Sequence, residues 1–440
     1  MESLAKDHLI KDRKYYVIVI FIYISVFINS YIFFKDPFEF YIGYLIYLVL
    51  LPAFIGRHRP PFKLIGIFII LFISGLFNIS IGNNTPQLFF KVFTGILLSY
   101  LFYYYVIVEF RFNLEQLFKW YLKGSYIVSV IGIIQFISFQ LDFELGYNYS
   151  WIFNKWGLIK GGNFGLRVNS VFGEPTYLAA TLSASFFVSV LNFVRKEVYF
   201  LTRFQSMVII LVYFLSFSGL GQVGVFLSII LLGISLGFLR YIFVIAPLGA
   251  LLFSFLYSSS KDFSERFDST VEIFTTEKFV LGKTHGSSFI LYNNFVVATE
   301  NFKSNFMFGS GVGSHPVAFE KFSTAKNIRV AGFSNNSADA NSMLLRLLSE
   351  TGLFGTLLFL YVTFKCYVRR NEQYDDYHWI LSNSILIMIL LSLFRQGHYF
   401  LNGFPFFMIM YYYNYASYKS YIETGQDLYN TTSKRLELAD

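Results

Sequence analysis

Three short runs hold the polar residues that could do chemistry in a chain that is otherwise strongly apolar. The first is Arg167-Val-Asn-Ser-Val-Phe-Gly-Glu174-Pro175-Thr-Tyr177, just ahead of an apolar stretch. Glu174 directly precedes a proline, so one reading is a helix start, with proline in the first turn and the acid at the positive end of the helix dipole. The other reading makes Arg167 an anion binder and Glu174 an acid or base. The second run is Asn336-Ser-Ala-Asp339-Ala-Asn341-Ser-Met-Leu-Leu-Arg346-Leu-Leu-Ser-Glu350. Arg346 and Glu350 share a helix face at i,i+4 and read as a structural ion pair. Asp339 and Asn341 precede that helix, either as N-cap residues or as site residues. The third run, Arg395-Gln-Gly-His398, fills a very short turn between two apolar helices. An arginine there can snorkel to headgroups, but Gln and His beside it favour function.

Elsewhere, residues 259–341 form a polar stretch holding Arg266, His315 and Arg329, each an ordinary surface residue if taken singly. A Gly309-Ser-Gly-Val-Gly313 turn in it could cradle phosphate, yet it lacks the lysine and hydroxyl residue of a P-loop. The chain has no HExxH, no Cys/His ligand spacing and no acidic pair in the outer connections for a sugar-nucleotide metal. Metal-assisted chemistry and ATP hydrolysis are unsupported, and no cofactor is expected. Arginines, a few carboxylates, a histidine and many aromatics remain. Guanidinium forks bind phosphate bidentately and aromatic rings stack on sugars, features that a lipid-linked pyrophosphate glycan presents.

The elements that must position these residues are set by composition. Of 440 residues, 55% are hydrophobic and only 14% charged, with 56 Phe and 33 Tyr, and the mean hydropathy is +0.52. A soluble chain carries about a quarter of its residues charged, so lipid must replace water over much of this surface. The net charge of +8 then reports basic residues on the cytoplasmic side rather than nucleic acid. A single cysteine, Cys366, excludes an internal disulfide framework. Apolar stretches run at 15–34, 40–56, 64–82, 88–109, 120–141, 170–193, 202–219, 222–239, 241–258, 342–367, 377–394 and 398–417, giving about 12 candidate transmembrane helices. The first is read as a retained span, since no small-residue cleavage site closes it. With the amino terminus inside, nineteen Lys and Arg fall in cytoplasmic segments and five (Lys35, Lys155, Lys160, Arg167 and Arg395) in the short outer connections. Both termini are therefore expected in the cytoplasm. The expectation is an all-α polytopic membrane protein: helices 1–9 with an outer loop at 142–169 in residues 1–258, a large ordered outer loop at 259–341, helices 10–12 in 342–417, and a cytoplasmic tail at 418–440.

Several motifs across residues 120–417 resemble the bacterial O-antigen polymerase and ligase superfamily, and within it the Wzy-type polysaccharide polymerases. Arg167 followed by Phe172-Gly-Glu-Pro-Thr176 resembles the polymerases' arginine loop and Gly-Glu-Pro-Ser/Thr helix start. Ser216-Phe-Ser-Gly219 resembles the small-residue end of the following span. Asn305-Phe-Met-Phe-Gly-Ser-Gly-Val-Gly313 is similar to the family's Asn-Pro-Leu-x-Gly-x-Gly-x-Gly turn, with Phe306 in place of proline. Asn341-Ser-Met-Leu and Leu348-Ser-Glu-Thr-Gly352-Leu-Phe-Gly355 resemble its His-Asn-x-x-Leu and Glu-x-Gly-x-x-Gly helix. The ligases carry histidine where this chain has Ala340, which favours the polymerase over the ligase.

The resemblance implies a GT-C-like, metal-independent, inverting glycosyltransferase at the outer face of the bacterial plasma (inner) membrane. A growing glycan on undecaprenyl pyrophosphate is the donor, one lipid-linked repeat unit is the acceptor, and a chain-length regulator is an implied partner. It implies Arg167, Arg266 and Arg395 as ligands of pyrophosphate and glycan, with Asn341 and Tyr177 also binding substrate. Glu174 or Asp339 is the implied base, with His398 third. The rival readings are a ligase-like transferase and a flippase of lipid-linked oligosaccharide, a class that usually shows repeat halves and broken helices near the midplane.

Overall fold

The computed structural model describes residues 13–35, 39–59, 61–237, 242–259, 261–276, 285–325, 335–371 and 376–424. Among these the chain is helical, with two isolated β-bridges, Ile32 with Tyr41 and Lys160 with Leu166. The helices are α1 (Arg13–Phe27), α2 (Ile42–Ile55), α3 (Phe62–Ser80), α4 (Pro86–Glu109), α5 (Leu114–Gln140), α6 (Glu144–Tyr147), α7 (Pro175–Val194), α8 (Arg203–Leu215), α9 (Gly219–Ser235), α10 (Ile242–Ser259), α11 (Lys261–Thr276), α12 (Gly286–Ser304), α13 (His315–Phe322), α14 (Met343–Lys365), α15 (Tyr377–Arg395) and α16 (Phe404–Thr424). The separation at Arg240, Arg329 and the tail beyond Thr424 lie outside the described residues.

A helix falls on each of the twelve apolar stretches, yet among the described residues six of them (α3, α4, α5, α7, α14 and α15) are long and apolar enough to cross a membrane. Helices α1, α2, α8 and α9 are shorter, α8 at 13 residues or about 20 Å of rise against a hydrocarbon core of about 30 Å, whereas α16 has 21 residues but is less apolar. Helix α1 stops at Phe27, because the apolar residues after it leave helical conformation and Ile32 pairs with Tyr41. The last stretch becomes helical only at Phe404, since Asn402 and Gly403 both have positive φ. The α8–α9 junction is a sharp break at Phe217, also at positive φ, with Ser218 accepting from the Gly221 amide as N-cap of α9.

Helices α7 and α15 form the centre, with α8, α9 and α16 around them. Several of their buried hydroxyls are satisfied within their own helix. Ser183, Ser189, Ser384 and Ser392 each donate to a carbonyl one turn earlier, which lets small residues bring helices close in an apolar interior. Helix α3 lies at the periphery, with Phe62, Ile70, Ile73 and Phe77 exposed. An apolar groove of about 450 Å³ lies between α2, α3 and α4, lined by Ile55, Phe68, Phe72, Phe93 and Tyr105 among others.

The bundle has two chemically different ends. At the basal end Glu109 accepts from Arg57 at 3.0 Å, and Asp376 pairs with Arg195 at 2.6 Å. At the cap end lie the 142–174 connection and helices α11–α13. Four backbone hydrogen bonds clasp this cap to a break in α14. Gly352 sits at φ 64°, which interrupts the helix and frees groups on both sides. The amides of Leu353 and Phe354 donate to the carbonyls of Phe306 and Met307 at 2.8 and 3.1 Å. In return, the amides of Ser310 and Gly311 donate to the carbonyls of Ser349 and Glu350 at 3.1 and 2.8 Å. The break also divides α14 chemically: Arg346 and Glu350 precede it and are buried, whereas Phe354, Leu357, Leu358, Tyr361 and Phe364 follow it and are exposed.

Candidate functional site

Segments far apart in sequence meet at the cap end. Lys155 is anchored by its own backbone, whose amide donates to the Ser30 carbonyl at 2.9 Å. Its ammonium pairs with Glu39 and Tyr41 and lies 4.9 Å from the Tyr41 ring centre. Burial works to raise the Glu39 carboxyl, but the Lys155 and Tyr41 hydrogen bonds outweigh it and hold it below its ordinary range. Lys91 is within electrostatic reach of Glu39, Lys155 and Arg346. Residues 159–167 double back, with the Arg167 amide on the Ile159 carbonyl and the Arg167 stem packed over Gly161.

Glu174 is the N-cap of α7 and Pro175 its first residue, as a helix start requires. Thr85, Asn113, Thr202, Ser218 and Ser342 each accept a backbone hydrogen bond in that role; the Glu174 side chain does not. Glu174 is exposed at the surface of the cap end. Burial raises it above the usual carboxylate range; Lys155 opposes the rise, Asp339 adds to it, and His398 and Arg167 oppose it more weakly.

Asp339 is not the cap of α14, because Ser342 takes that place by accepting from the Leu345 amide. Its side chain turns instead to the α15–α16 connection, where Oδ2 meets Nε2 of His398 at 2.9 Å. Oδ1 accepts from the Asn341 amide at 3.0 Å, and Asn341 Oδ1 accepts from Asn336 at 3.1 Å. Burial alone would raise the Asp339 carboxyl. His398, the Asn341 amide and Arg346 outweigh it and hold it down to about 2. The Tyr177 ring meets His398 edge-on at 6.4 Å.

Beneath this pair lies a buried polar layer. Arg346 donates to Glu350 at 2.9 Å and to the Gly397 carbonyl at 2.7 Å, and lies 4.4 Å from the Tyr399 ring centre. His315 is fully buried, its backbone amide donating to Glu350 at 3.3 Å and its Nε2 facing Asn294 Oδ1 at 3.0 Å. Burial pushes the His315 imidazole down to about 3; Arg346 pushes it further and Asp339 resists.

Glu174, Asp339, His398, Tyr177, Asn341 and Arg167 therefore gather in one region. Arg395 is placed differently, donating to the Ser287 carbonyl at the start of α12 at 3.1 Å, where it ties α15 to the cap. Arg266 lies on α11, its side chain outside the described residues. The Gly309–Gly313 turn is no phosphate cradle in this fold. The amides of Gly309, Ser310 and Gly311 are consumed by the carbonyls of Asn305, Ser349 and Glu350.

The sequence reading missed Glu39, Tyr41 and Lys91, and its expectation of His315 as an ordinary surface residue fails, because the side chain is fully buried against Asn294. Nothing local marks Glu39 or Lys91, since only the packing of α2 and α4 against the rest brings them in. Lys155, noted only as an outer-loop cation, could have been suspected from its place between Trp151, Trp156 and Lys160. No known protein-family model matches the chain, and no curated protein matches it in sequence.

Proposed function

We propose that the chain is a polysaccharide polymerase of the bacterial plasma membrane. It transfers a growing glycan from undecaprenyl pyrophosphate to the non-reducing end of a lipid-linked repeat unit by inverting glycosyl transfer. In this reading all twelve apolar helices cross or enter the bilayer, both termini are cytoplasmic, and the cap end faces outward. The observation that carries it is the convergence of Lys91, Lys155 and Arg167 with Glu174, Asp339 and His398 at one end of an apolar helical bundle. Cations and carboxylates at a membrane boundary suit a substrate whose lipid stays in the bilayer while its diphosphate and sugars stay in water.

The leaving diphosphate gains negative charge as the anomeric C–O bond breaks, so fixed cations aimed at it contribute most to lowering the barrier. Arg167 offers a guanidinium fork for its oxygens, and Lys91 and Lys155 add point charges. Tyr177 offers a ring face for sugars. Asn341 is held by Asn336 and positions the turn that carries Asp339. A base takes the proton of the attacking hydroxyl, a contribution of about 10²–10⁴-fold.

Purified protein in lipid nanodiscs, given only undecaprenyl-pyrophosphate repeat units, should build a ladder of products. A requirement for a chemically different acceptor would replace this reading with a ligase. Transbilayer movement of intact lipid-linked repeats with no new bond would replace it with a flippase. The ladder should persist in EDTA, and a loss that Mg²⁺ restores would refute the metal-independent mechanism.

A further inference from the structure

Three groups at the cap end can take a proton, and their surroundings separate them. Glu174 makes no hydrogen bond that would aim its carboxylate, although nothing blocks its exposure. Asp339 is buried and both of its oxygens are engaged, Oδ1 by the Asn341 amide and Oδ2 by His398. His398 alone combines orientation with access. Its Nε2 is fixed on Asp339 at 2.9 Å, its ring is flanked by Tyr177, and its side chain keeps 23% of its surface open. Nδ1 makes no hydrogen bond among the described residues.

Resting on the polymerase reading, we propose that His398 is the group that removes the proton from the acceptor hydroxyl, with Asp339 as its positioning residue. The arrangement follows the general logic of an activated nucleophile, in which a third group orients the base. Asp339 fixes the tautomer by accepting from Nε2–H, which leaves the lone pair on Nδ1. As the acceptor oxygen bonds to the anomeric carbon, its proton passes to Nδ1. The C–O bond to the diphosphate breaks, its electron pair leaving with undecaprenyl pyrophosphate. The imidazolium, stabilised by the Asp339 carboxylate, then returns its proton to water.

Two observations fit this division of labour. The low Asp339 carboxyl makes it a poor base but a permanent anion at neutral pH. The backbone that presents His398 is also pinned on both sides. The Gly397 carbonyl accepts from Arg346, and Gly397 lies so tightly on the Asp339 carbonyl that a Cβ there would sit 1.6 Å from that oxygen. The charged and titratable groups around the pair are Glu174, Lys155 and Arg167 on the open side, Arg346 and Tyr399 below, and Tyr177 on α7.

The test uses the full chain in nanodiscs. His398→Ala should lower kcat about 10²–10⁴-fold with little change in KM, and added imidazole should restore part of it. Asp339→Asn should lower kcat with KM unchanged, and adding it to His398→Ala should cause no further loss. Wild-type kcat in His398→Ala would overturn the proposal, as would a second full loss in the double variant. Failure of the wild-type chain to extend lipid-linked repeats would instead remove the polymerase reading. The pairing then stands or falls on diethyl pyrocarbonate labelling of His398 at pH about 6, followed by mass spectrometry. Labelling should accelerate several-fold in Asp339→Asn because Nε2 is no longer held on the carboxylate. An unchanged rate would show that the two groups are not coupled.

Discussion

Gly397→Ala tests the geometry of the cap end with one methyl group. A Cβ at this position would lie 1.6 Å from the Asp339 carbonyl oxygen, and real Cβ contacts essentially never fall below 3.0 Å. The two segments must therefore separate by at least about 1.4 Å, taken as 3.0 minus 1.6. Passed in full to the neighbouring pair, this lengthens the 2.9 Å Asp339–His398 contact to about 4.3 Å, outside hydrogen-bond range. The same shift strains the 2.7 Å bond from Arg346 to the Gly397 carbonyl. Overpacking of this kind costs about 1–3 kcal/mol, and a misplacement of about 1 Å at reacting groups costs on the order of 10² in rate. Ladder formation by Gly397→Ala in nanodiscs should thus fall about 10²-fold, with substrate affinity little changed and thermal unfolding a few degrees lower. Gly233→Ala, where no atom lies within 4 Å of the new methyl, is the control and should match wild type. Wild-type turnover in Gly397→Ala would refute the claim that this contact sets the site.

His315 gives a pH prediction with a definite sign. Its imidazole is held down to about 3 in the fold against about 6.5 unfolded, so the unfolded chain binds more protons between those values and stability falls as pH drops through that window. Thermal unfolding should decline from pH 6.5 toward 4 in wild type and much less in His315→Gln; parallel curves would contradict the burial argument. Glu350→Ala should destabilise by about 3–5 kcal/mol by leaving Arg346 buried and unpaired, whereas Arg346→Met with Glu350→Leu should cost much less, as read by denaturant unfolding in detergent. Reporter fusions at Lys63, Lys196 and Arg370 should report cytoplasm, and those at Lys155 and Gln396 the outer side; a cytoplasmic report from Lys155 would place the cluster on the wrong face for the proposed substrates.

Periodicity and hydropathy located helices well, because a bilayer-facing helix writes its identity into every residue. They read spanning length less well. Stretches such as 15–34 and 398–417 stay apolar past their helix ends, since residues such as Ile32 and Tyr399 are buried by protein rather than lipid. Glu174 was legible from the proline after it, and His398 from its short turn. Their meeting with Asp339 was not, because it depends on the α15–α16 connection crossing the start of α14. The same limit explains Arg395, whose place in the turn suggested substrate, while its guanidinium reaches the Ser287 carbonyl on a cap helix more than a hundred positions away. Asp339 as an N-cap was a sound local expectation, overruled when Ser342 took the amide.

The clasp at Gly352 also dictates an order of biogenesis. It joins residues 306–311 to residues 349–354, so one half leaves the ribosome about forty residues ahead of the other. Until the second half arrives, the carbonyls of Phe306 and Met307 and the amides of Ser310 and Gly311 have only solvent to pair with. Unpaired peptide groups cannot wait inside hydrocarbon. These groups must therefore stay hydrated until residues 349–354 have been made, so the clasp closes only after α14 begins to form. A nascent chain halted before Leu353 would hold the Ser349 and Glu350 carbonyls but lack the Leu353 and Phe354 amides, so only half of the clasp could form.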